Sequence, residues 1–338
     1  MPLLHNKLTT TIRQCQLYYV SLHLQSHAKV RFFHAQDKLL LLNMTKSLKF
    51  ALFGNAYQEH KSIAAQKFIR MAQQRGLSIA IHEPFYKFLR NMPNIHTPEC
   101  EIIRTNDFAA DYAVCIGGDG TFLDTASKVA DKNIPIIGIN AGRLGFLANF
   151  SPDNIDQDFN DILEGRYSTQ THSLLNMECD EMDLCGYPFA LNEIAILKHD
   201  ISSMITIHTS INGEPLTTYQ ADGLIISTPT GSTAYSLSVG GPIIVPQSNT
   251  LCLTPIAPHS LNMRPIVLCD DYNIDIMVES RSQSFLVSLD GRSQSYPDKI
   301  HLHIKKAPYN ITVVTHHQQS YFSTLREKMM WGADTRDK

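Results

Sequence analysis

Apolar and polar positions follow two different rhythms along this chain, and the change falls near residue 165. Before it, short apolar runs alternate with stretches whose apolar residues recur every three or four positions. The first kind reads as buried strand and the second as amphipathic helix. Leu48–Phe53 opens the series and ends at Gly54. Ile63, Ala64, Phe68, Met71 and Ala72 then mark one helix face, with Gly76 where a C′ residue belongs. Leu77–Ile81 is a second strand and Pro84–Asn91 a short helix. Tyr112–Ile116 and Ile134–Ile139 are further strands, separated by a helix with Phe122, Leu123, Ala126, Val129 and Ala130 on one face. Strands alternating with helices predict a parallel α/β domain over 48–150. Ser151-Pro152-Asp153 offers an N-cap, a proline at N1 and a first-turn acid, which predicts a linker helix within 151–169. Ile155, Phe159, Ile162 and Leu163 form its apolar face and Gly165 stops it.

Beyond that glycine the period drops to two. Met204–Ile211 alternates and runs into Asn212-Gly213, a hairpin signal. Ile266–Leu268, Ile274–Val278, Phe285–Ser288, Ile300–Ile304 and Ile311–Val314 are further strands, and Asp290-Gly291 is a second hairpin turn. Residues 170–315 therefore read as a β-rich domain of packed sheets. Ser320–Trp331 returns to helical spacing, with Tyr321, Phe322, Leu325 and Met329 on its apolar side. The segment 316–338 is expected to pack back on the α/β domain, making that domain discontinuous. There is no internal repeat and no low-complexity segment.

The first 47 residues are different. No acid precedes Asp37, while Lys7, Arg13, Lys29 and Arg31 are spread among Ser, Thr, His and Gln. This is loosely the composition of a transit peptide. The favoured reading is an extension without function, with Met44 as the true start.

Composition narrows the function classes. The chain has 338 residues, enough for two domains. A formal net charge of −3 gives no field for nucleic acid or an anionic membrane. No run reaches the roughly 18 apolar residues of a membrane span. Seven cysteines are scattered, with no Cys-x-x-Cys pair, which fits reduced thiols and a cytoplasmic protein. Cys115, inside an apolar strand, reads as packing. His301 and His303 lie two apart on one strand, as metal ligands can, but no cysteine or acid is spaced to complete a site. They read as solvated, and no metal-ligating residue is assigned.

Chemistry enters at Tyr112–Thr121. An apolar strand runs into Gly117-Gly118-Asp119-Gly120-Thr121, and a helix follows at once. Three glycines in four positions let a ligand approach the backbone. The helix start presents unpaired N–H groups that favour phosphate oxygens. Asp119 is anomalous there, because a carboxylate in a phosphate cradle repels the ligand unless it accepts a proton or holds a metal. Asp-Gly is also a common hairpin turn, so this stretch alone leaves both readings open. Asn140–Gly145 lies at a neighbouring strand end, where ligands of such sheets bind.

Two more polar clusters interrupt the β region. Asp222–Pro242 holds a short apolar strand and then Thr228, Thr230, Ser232, Thr233, Tyr235, Ser236 and Ser238. The plain reading is a Ser/Thr-rich connection. The alternative is an adenine or ribose site, with hydroxyls for the edges and Tyr235 for stacking. Asn192-Glu193 splits two apolar runs, Phe189–Leu191 and Ile194–Leu197. It is either an outward-facing edge pair or a ligand for sugar hydroxyls.

Together these residues resemble the NAD kinase family, over about residues 48–332. Gly117–Thr121 looks like its Gly-Gly-Asp-Gly signature and Asn192-Glu193 like its Asn-Glu pair. Asp222-Gly223 followed by Ser227–Ser236 looks like its second signature. Gly-Gly-Asp-Gly alone has relatives among lipid kinases and phosphofructokinases; the second signature in the right order makes the resemblance specific. Residues 1–47 have no counterpart in it, which supports Met44 as the start. The resemblance implies an α/β domain plus a β-sandwich domain with the site between them. It also implies a homodimer or homotetramer with sites shared between subunits.

The implied reaction is ATP + NAD → ADP + NADP, with a divalent cation such as Mg2+ brought by ATP. By the resemblance Asp119 would accept the proton of the adenosine ribose 2′-hydroxyl, and Gly120 with the turn would hold the diphosphate. Asn192 and Glu193 would contact ribose or base. Thr233, Ala234, Tyr235, Ser236, Leu237 and Ser238 would line the adenine pocket. Asp222 would face the nicotinamide side, from its own or a neighbouring subunit, and Ala257 would touch the ligand. Two positions depart from the family pattern. Asp124 stands where many relatives have a basic residue, and Gln220 where some have arginine. Arg143 or Arg292 is the candidate to offset the phosphate charge. Two rival functions remain: a related lipid or sugar kinase, and a dinucleotide sensor without turnover.

Overall fold

A computed structural model of the chain describes residues 48–54, 60–92, 97, 99–141, 145–182, 184, 186–317 and 320–330. The chain divides after Leu48 into two units, and Leu48 is the one described residue of the first. Both readings of residues 1–47 therefore lie outside the described residues.

The second unit opens with strands β1 (Lys49–Gly54), β2 (Ser78–His82), β3 (Glu101–Ile103), β4 (Tyr112–Gly117) and β5 (Ile136–Asn140). Helices α1 (His60–Gln74), α2 (Glu83–Arg90) and α3 (Asp119–Val129) alternate with them. The strands pair in parallel, in the order β3-β2-β1-β4-β5. Parallel neighbours need a crossover helix, and strands covered on both faces read as continuous apolar runs. β5 is buried at every position, and so is β4 after Tyr112. Three-residue β3 is too short to leave a periodic signal. On α1 the expected face holds at Ala64, Phe68, Met71 and Ala72, but Ile63 is 57% exposed. At 100° per residue Ala65 and Ile69 take the buried side instead.

Helix α4 (Ile155–Leu163) begins later than Ser151 because residues 151–154 close a turn first. Ser151 Oγ accepts from the Asp153 N–H at 3.3 Å and its carbonyl from the Asn154 N–H at 3.2 Å, leaving Asn154 as N-cap. Phe159 of α4 is fully buried, its ring 5.9 Å from Phe50 and 5.0 Å from Phe68 between centroids.

The β half follows: β6 (Tyr167–Cys179), β7 (Phe189–Ala190), β8 (Glu193–Lys198), β9 (Ile205–Ile211), β10 (Glu214–Ala221) and β11 (Gly223–Ser227). A 3-10 turn (Thr230–Thr233) and the single-turn helix α5 (Tyr235–Ser238) come next. Then come β12 (Thr250–Ile256), β13 (Ile266–Cys269), β14 (Ile274–Glu279), β15 (Ser284–Leu289), β16 (Arg292–Pro297), β17 (His301–His316) and helix α6 (Tyr321–Met329). One sheet, β13-β12-β11-β8-β15-β16, is antiparallel throughout. The other continues the parallel set: β17 lies parallel to β5, and β14, β9 and β10 add beyond it in antiparallel. β6 runs antiparallel along β17. Ile194, Ile196, Leu224 and Ile226 of the first sheet share one core with Ile205, Ile207, Ile276 and Leu302 of the second. The fold is thus an α/β half with a parallel sheet, followed by a mostly β, sandwich-like half.

Both hairpin signals hold. Asn212 and Gly213 have φ of 51° and 81°, and Asp290 and Gly291 of 49° and 82°, positive at both central residues as a type I′ turn requires. Two expectations are corrected. Ile300–Ile304 and Ile311–Val314 are parts of one 16-residue strand, β17, whose register on β6 shifts between Lys306 and Asn310. Pro308 falls inside that irregularity, where a missing ladder N–H is tolerated. His301 and His303 do have acid partners. His303 Nδ1 is 2.7 Å from Asp275 and its Nε2 3.0 Å from Asp180, while His301 Nδ1 is 2.7 Å from Glu181. Asp275 comes from the facing strand, a register pair that sequence spacing cannot reveal. Hydrogen bonds donated to the carboxylates of Asp275 and Asp180 hold His303 above the usual histidine range. Among the described residues no three His, Cys, Asp or Glu side chains group as a metal site, and no helix is long and apolar enough to cross a membrane.

Phe159→Ala should cost about 3–5 kcal/mol of stability, since three packed rings lose their centre. Urea denaturation should register that loss, while turnover per folded molecule stays near the unsubstituted value.

Candidate active site

β4 delivers Gly117 and Gly118 to the carboxyl edge of the parallel sheet, and α3 starts at Asp119. Gly118, the N-cap, has no side chain to satisfy the helix start. Asp119 sits in the first turn, where the helix dipole favours its charge. Its carboxylate is also engaged elsewhere. Oδ2 accepts the Phe146 N–H at 2.8 Å, and Oδ1 accepts those of Leu147 at 3.0 Å and Ala148 at 3.3 Å. The chain beyond β5 is thereby held against the glycine turn. Gly145 makes this approach possible, because a Cβ there would stand 2.0 Å from Asp119 Oδ1. Three of the carboxylate's acceptor sites are used, out of about four. The remaining one belongs to Oδ2. Gly120, one residue on, is exposed.

A second aspartate repeats this device. Asp290 Oδ2 accepts the Leu191 N–H at 2.7 Å, and Oδ1 accepts those of Asn192 at 2.8 Å and Glu193 at 3.1 Å. Sequence reading finds Asp290-Gly291 only as a turn; nothing local signals a carboxylate reaching back almost a hundred residues. Arg292 donates to the carbonyls of Tyr187 at 2.8 Å, Phe189 at 2.6 Å and Leu289 at 3.1 Å. Its guanidinium is thus engaged with the backbone. Arg143, the other candidate, lies outside the described residues.

The Asn-Glu pair so held faces inward. Asn192 is buried, which removes the edge-pair alternative. Glu193 is mostly buried, and Oε2 has no hydrogen-bond partner among the described residues. Burial, and then the neighbouring Asp290, push its carboxyl up to about 7, against one hydrogen bond from the Tyr235 N–H.

The second signature docks onto this pair. Thr228 donates its hydroxyl to the Leu191 carbonyl at 2.6 Å and its N–H to the Asn192 carbonyl at 2.9 Å. A Cβ at Gly231 would meet the Asn192 oxygen at 2.1 Å, so only glycine fits. Thr230 Oγ1 lies 2.8 Å from Nδ1 of His172, whose burial lowers it to about 4 and keeps it neutral. Ser232 donates to the Pro229 carbonyl, Thr233 to that of Thr230, and Ser236 pairs with Thr254 at 2.9 Å. Many of the hydroxyls that suggest ligand donors thus hold the loop itself. Tyr235 stays 40% exposed, Ser238 is exposed, and Thr233, Ala234 and Leu237 are partly accessible. Leu191 packs in one apolar cluster with Phe122 of α3 and Leu147, which brings the pair and the second signature towards the glycine turn.

Asp222 and Ala257 are not brought there. They sit together where β11 begins, with the Asp222 N–H bonded to the Ile256 carbonyl at 3.0 Å. The Asn-Glu pair lies where β11 ends, at Ser227 opposite Glu193. At ~3.3 Å per residue the two groups are roughly 15 Å apart. Lys198 Nζ meets the Asp222 carboxylate at 2.7 Å.

Residues 45–167 match the model of the ATP-NAD kinase N-terminal domain, and residues 191–316 that of the C-terminal domain. The chain belongs to the NAD kinase family. It is 52% identical to the NAD kinase of Bacteroides fragilis over 289 residues, covering 86% of this chain and 100% of that protein. It is 41% identical to the NAD kinase of Porphyromonas gingivalis over 288 residues, covering 85% and 99%. Yeast NADH kinase, solved with NADH, matches the fold with a TM-score of 0.76 at 24% identity, covering 86% of this chain and 90% of that one. An NAD kinase from Archaeoglobus fulgidus, solved with ATP, matches at 0.65 and 24%, covering 84% and 99%. The activity is accordingly that of an NAD kinase: ATP phosphorylates the 2′-hydroxyl of the adenosine ribose of NAD. The lipid- or sugar-kinase and sensor alternatives give way to it.

The raised Glu193 carboxyl makes a stability prediction. A folded carboxyl pushed up by burial stabilises fully below about pH 4.5, and the contribution is lost as pH rises through about 7. Glu193→Gln should therefore match the unsubstituted protein near pH 4.5 and exceed it by up to about 3 kcal/mol at pH 8. Thermal melts at the two pH values check this; a difference that does not grow with pH contradicts it.

Proposed function

We propose that Asp119 takes the proton from the adenosine ribose 2′-hydroxyl of NAD, while the glycine turn and the start of α3 hold the diphosphate next to it. The observation that carries this reading is the single unused acceptor site on Oδ2, on a carboxylate fixed by three backbone N–H groups. The 2′-oxygen forms a bond to the γ-phosphorus of ATP as the bond from that phosphorus to the β–γ bridging oxygen breaks. The bridging electron pair leaves with ADP, and the hydroxyl proton passes to Asp119 and then to solvent. A sugar hydroxyl is a poor nucleophile and a carboxylate near ~4 a weak base, so alignment supplies most of the rate. A rigidly held carboxylate suits that requirement.

In this reading Gly120 lets the diphosphate approach, and Asn192 and Glu193 bind ribose or base. Thr233, Ala234, Tyr235, Leu237 and Ser238 border the adenine, with the accessible Tyr235 ring as stacking partner. Ser236, bonded to Thr254, shapes that border from behind. The divalent cation, Mg2+ or similar, arrives on ATP, where it neutralises phosphate charge.

We further propose a homodimer or homotetramer in which Asp222 and Ala257 meet the nicotinamide side of a ligand held by a neighbouring subunit. The roughly 15 Å between them and the Asn-Glu pair along β11 supports this. The cytoplasm is the proposed location; five described cysteines are free thiols.

Asp119→Asn should lower kcat by at least ~10²-fold, with NAD binding retained on the folded fraction. Undiminished NADP formation would overturn the role of Asp119. Co-expression of Asp119→Asn with Asp222→Asn tests the shared site. If sites draw on two subunits, random pairing rebuilds about a quarter of them, and activity reappears from two inactive parents. No recovery in mixed oligomers would mean that each subunit completes its own site.

A further inference from the structure

The last helix brings a cation to the place where Asp119 works. Lys328 lies on α6, and its Nζ stands 4.1 Å from the centroid of the Phe146 ring. Phe146 is the residue whose N–H Asp119 Oδ2 holds. Lys328 Nζ is closed off from solvent and has no hydrogen-bond partner among the described residues. Burial pulls its ammonium down to about 8, while Asp119 across the turn and Glu327 on its own helix pull the other way. A buried ammonium without a hydrogen-bonded partner is unfavourable, and the face of an aromatic ring recovers only part of the loss.

Among the described residues, two other cations that could offset phosphate charge are engaged elsewhere. Lys128 pairs with Asp124. Arg292 is bound to three carbonyls. The described residues therefore leave Lys328 as the unpaired positive charge against the 146–148 turn, beside a site whose ligand is a polyanion.

We propose that Lys328 is a phosphate-binding residue of this site, its ammonium contacting the non-bridging oxygens of the phosphoryl group that passes from ATP to the ribose. The inference rests on the reading in which Asp119 faces the transferring group. As the bond to the bridging oxygen breaks, charge spreads over the equatorial oxygens, and an ammonium held beside them stabilises that charge. Asp119 receives the proton and Lys328 offsets the phosphoryl charge. This accounts for a carboxylate standing in a phosphate cradle, and it makes α6 part of the active site.

The test uses the full chain with Lys328→Met, which keeps the apolar stem on Phe146, and Lys328→Arg, which keeps the charge. Lys328→Met should lower kcat ~10²–10³-fold and weaken competitive inhibition by inorganic pyrophosphate at least ~10-fold, with NAD affinity nearly unchanged and the melting temperature equal or raised. Lys328→Arg should recover much of both, and any alkaline limb of kcat near pH 8 should move upward. Two results would overturn the proposal. One is Lys328→Met with unchanged kcat and pyrophosphate inhibition. The other is equal loss in both variants with a lowered melting temperature, which would make Lys328 a staple for α6. The pyrophosphate readout is separate from the role of Asp119: it should fall in Lys328→Met even if Asp119→Asn still turns over.

Discussion

Loops at the end of a sheet carry backbone N–H groups that no strand or helix can satisfy, and this chain meets that constraint twice with the same device. An aspartate carboxylate accepts three successive N–H groups, Phe146 to Ala148 at Asp119 and Leu191 to Glu193 at Asp290. Buried N–H groups left unpaired would cost about 1–3 kcal/mol each. Each carboxylate in turn has its charge dispersed over several dipoles. The two clamps fix the two segments beside which the site is built. The Asn-Glu pair then supplies the surface against which Thr228 and Gly231 close. The second signature is thus shaped through its contacts with the pair, and the pair through Asp290.

The outline of the fold is written in the periodicity. Parallel strands with covered faces must be apolar throughout, and helices packed on them must be apolar on one side, so β1, β4, β5 and α3 announce themselves. The break in rhythm near Gly165 announces the sandwich, and Asn212-Gly213 and Asp290-Gly291 announce their turns. Illegible elements fail for physical reasons. β3 is shorter than one period of evidence, and β17 runs through Pro308 by an irregularity whose tolerance depends on its neighbour β6. The acid partners of His303 come from register across strands, which no spacing within one strand encodes.

The site was legible as residue types but not as wiring. A carboxylate among glycines is visible in any reading of Gly117–Thr121, yet its grip on residues 146–148 depends on the route of the chain after β5. The hydroxyls of Thr228–Ser236 read naturally as ligand donors, but loop closure needs them first. Thr228, Ser232 and Ser236 are each bonded inside the protein. A cluster of short polar side chains is therefore ambiguous in sequence, because binding a ligand and holding a loop call for the same residues. An exposed aromatic beside them, Tyr235, is the better pointer, since a core has no use for a ring left 40% exposed.

Charge is the remaining constraint, because NAD and ATP are both anionic and the site already holds Asp119, Glu193 and Asp290. Each acid is handled differently. Asp119 stands at a helix start among N–H donors. Asp290 has its three N–H groups and the nearby Arg292 guanidinium, although burial still raises it. Among the described residues Glu193 has one backbone donor and a buried oxygen without a partner, and its proton is held up to about 7. A neutral Glu193 can donate a hydrogen bond to a ribose oxygen as well as accept one, and it adds no repulsion to the diphosphate. Protonation of Glu193 thus relieves the charge conflict, driven first by its burial and then by Asp290, which stands close enough to disfavour a second charge.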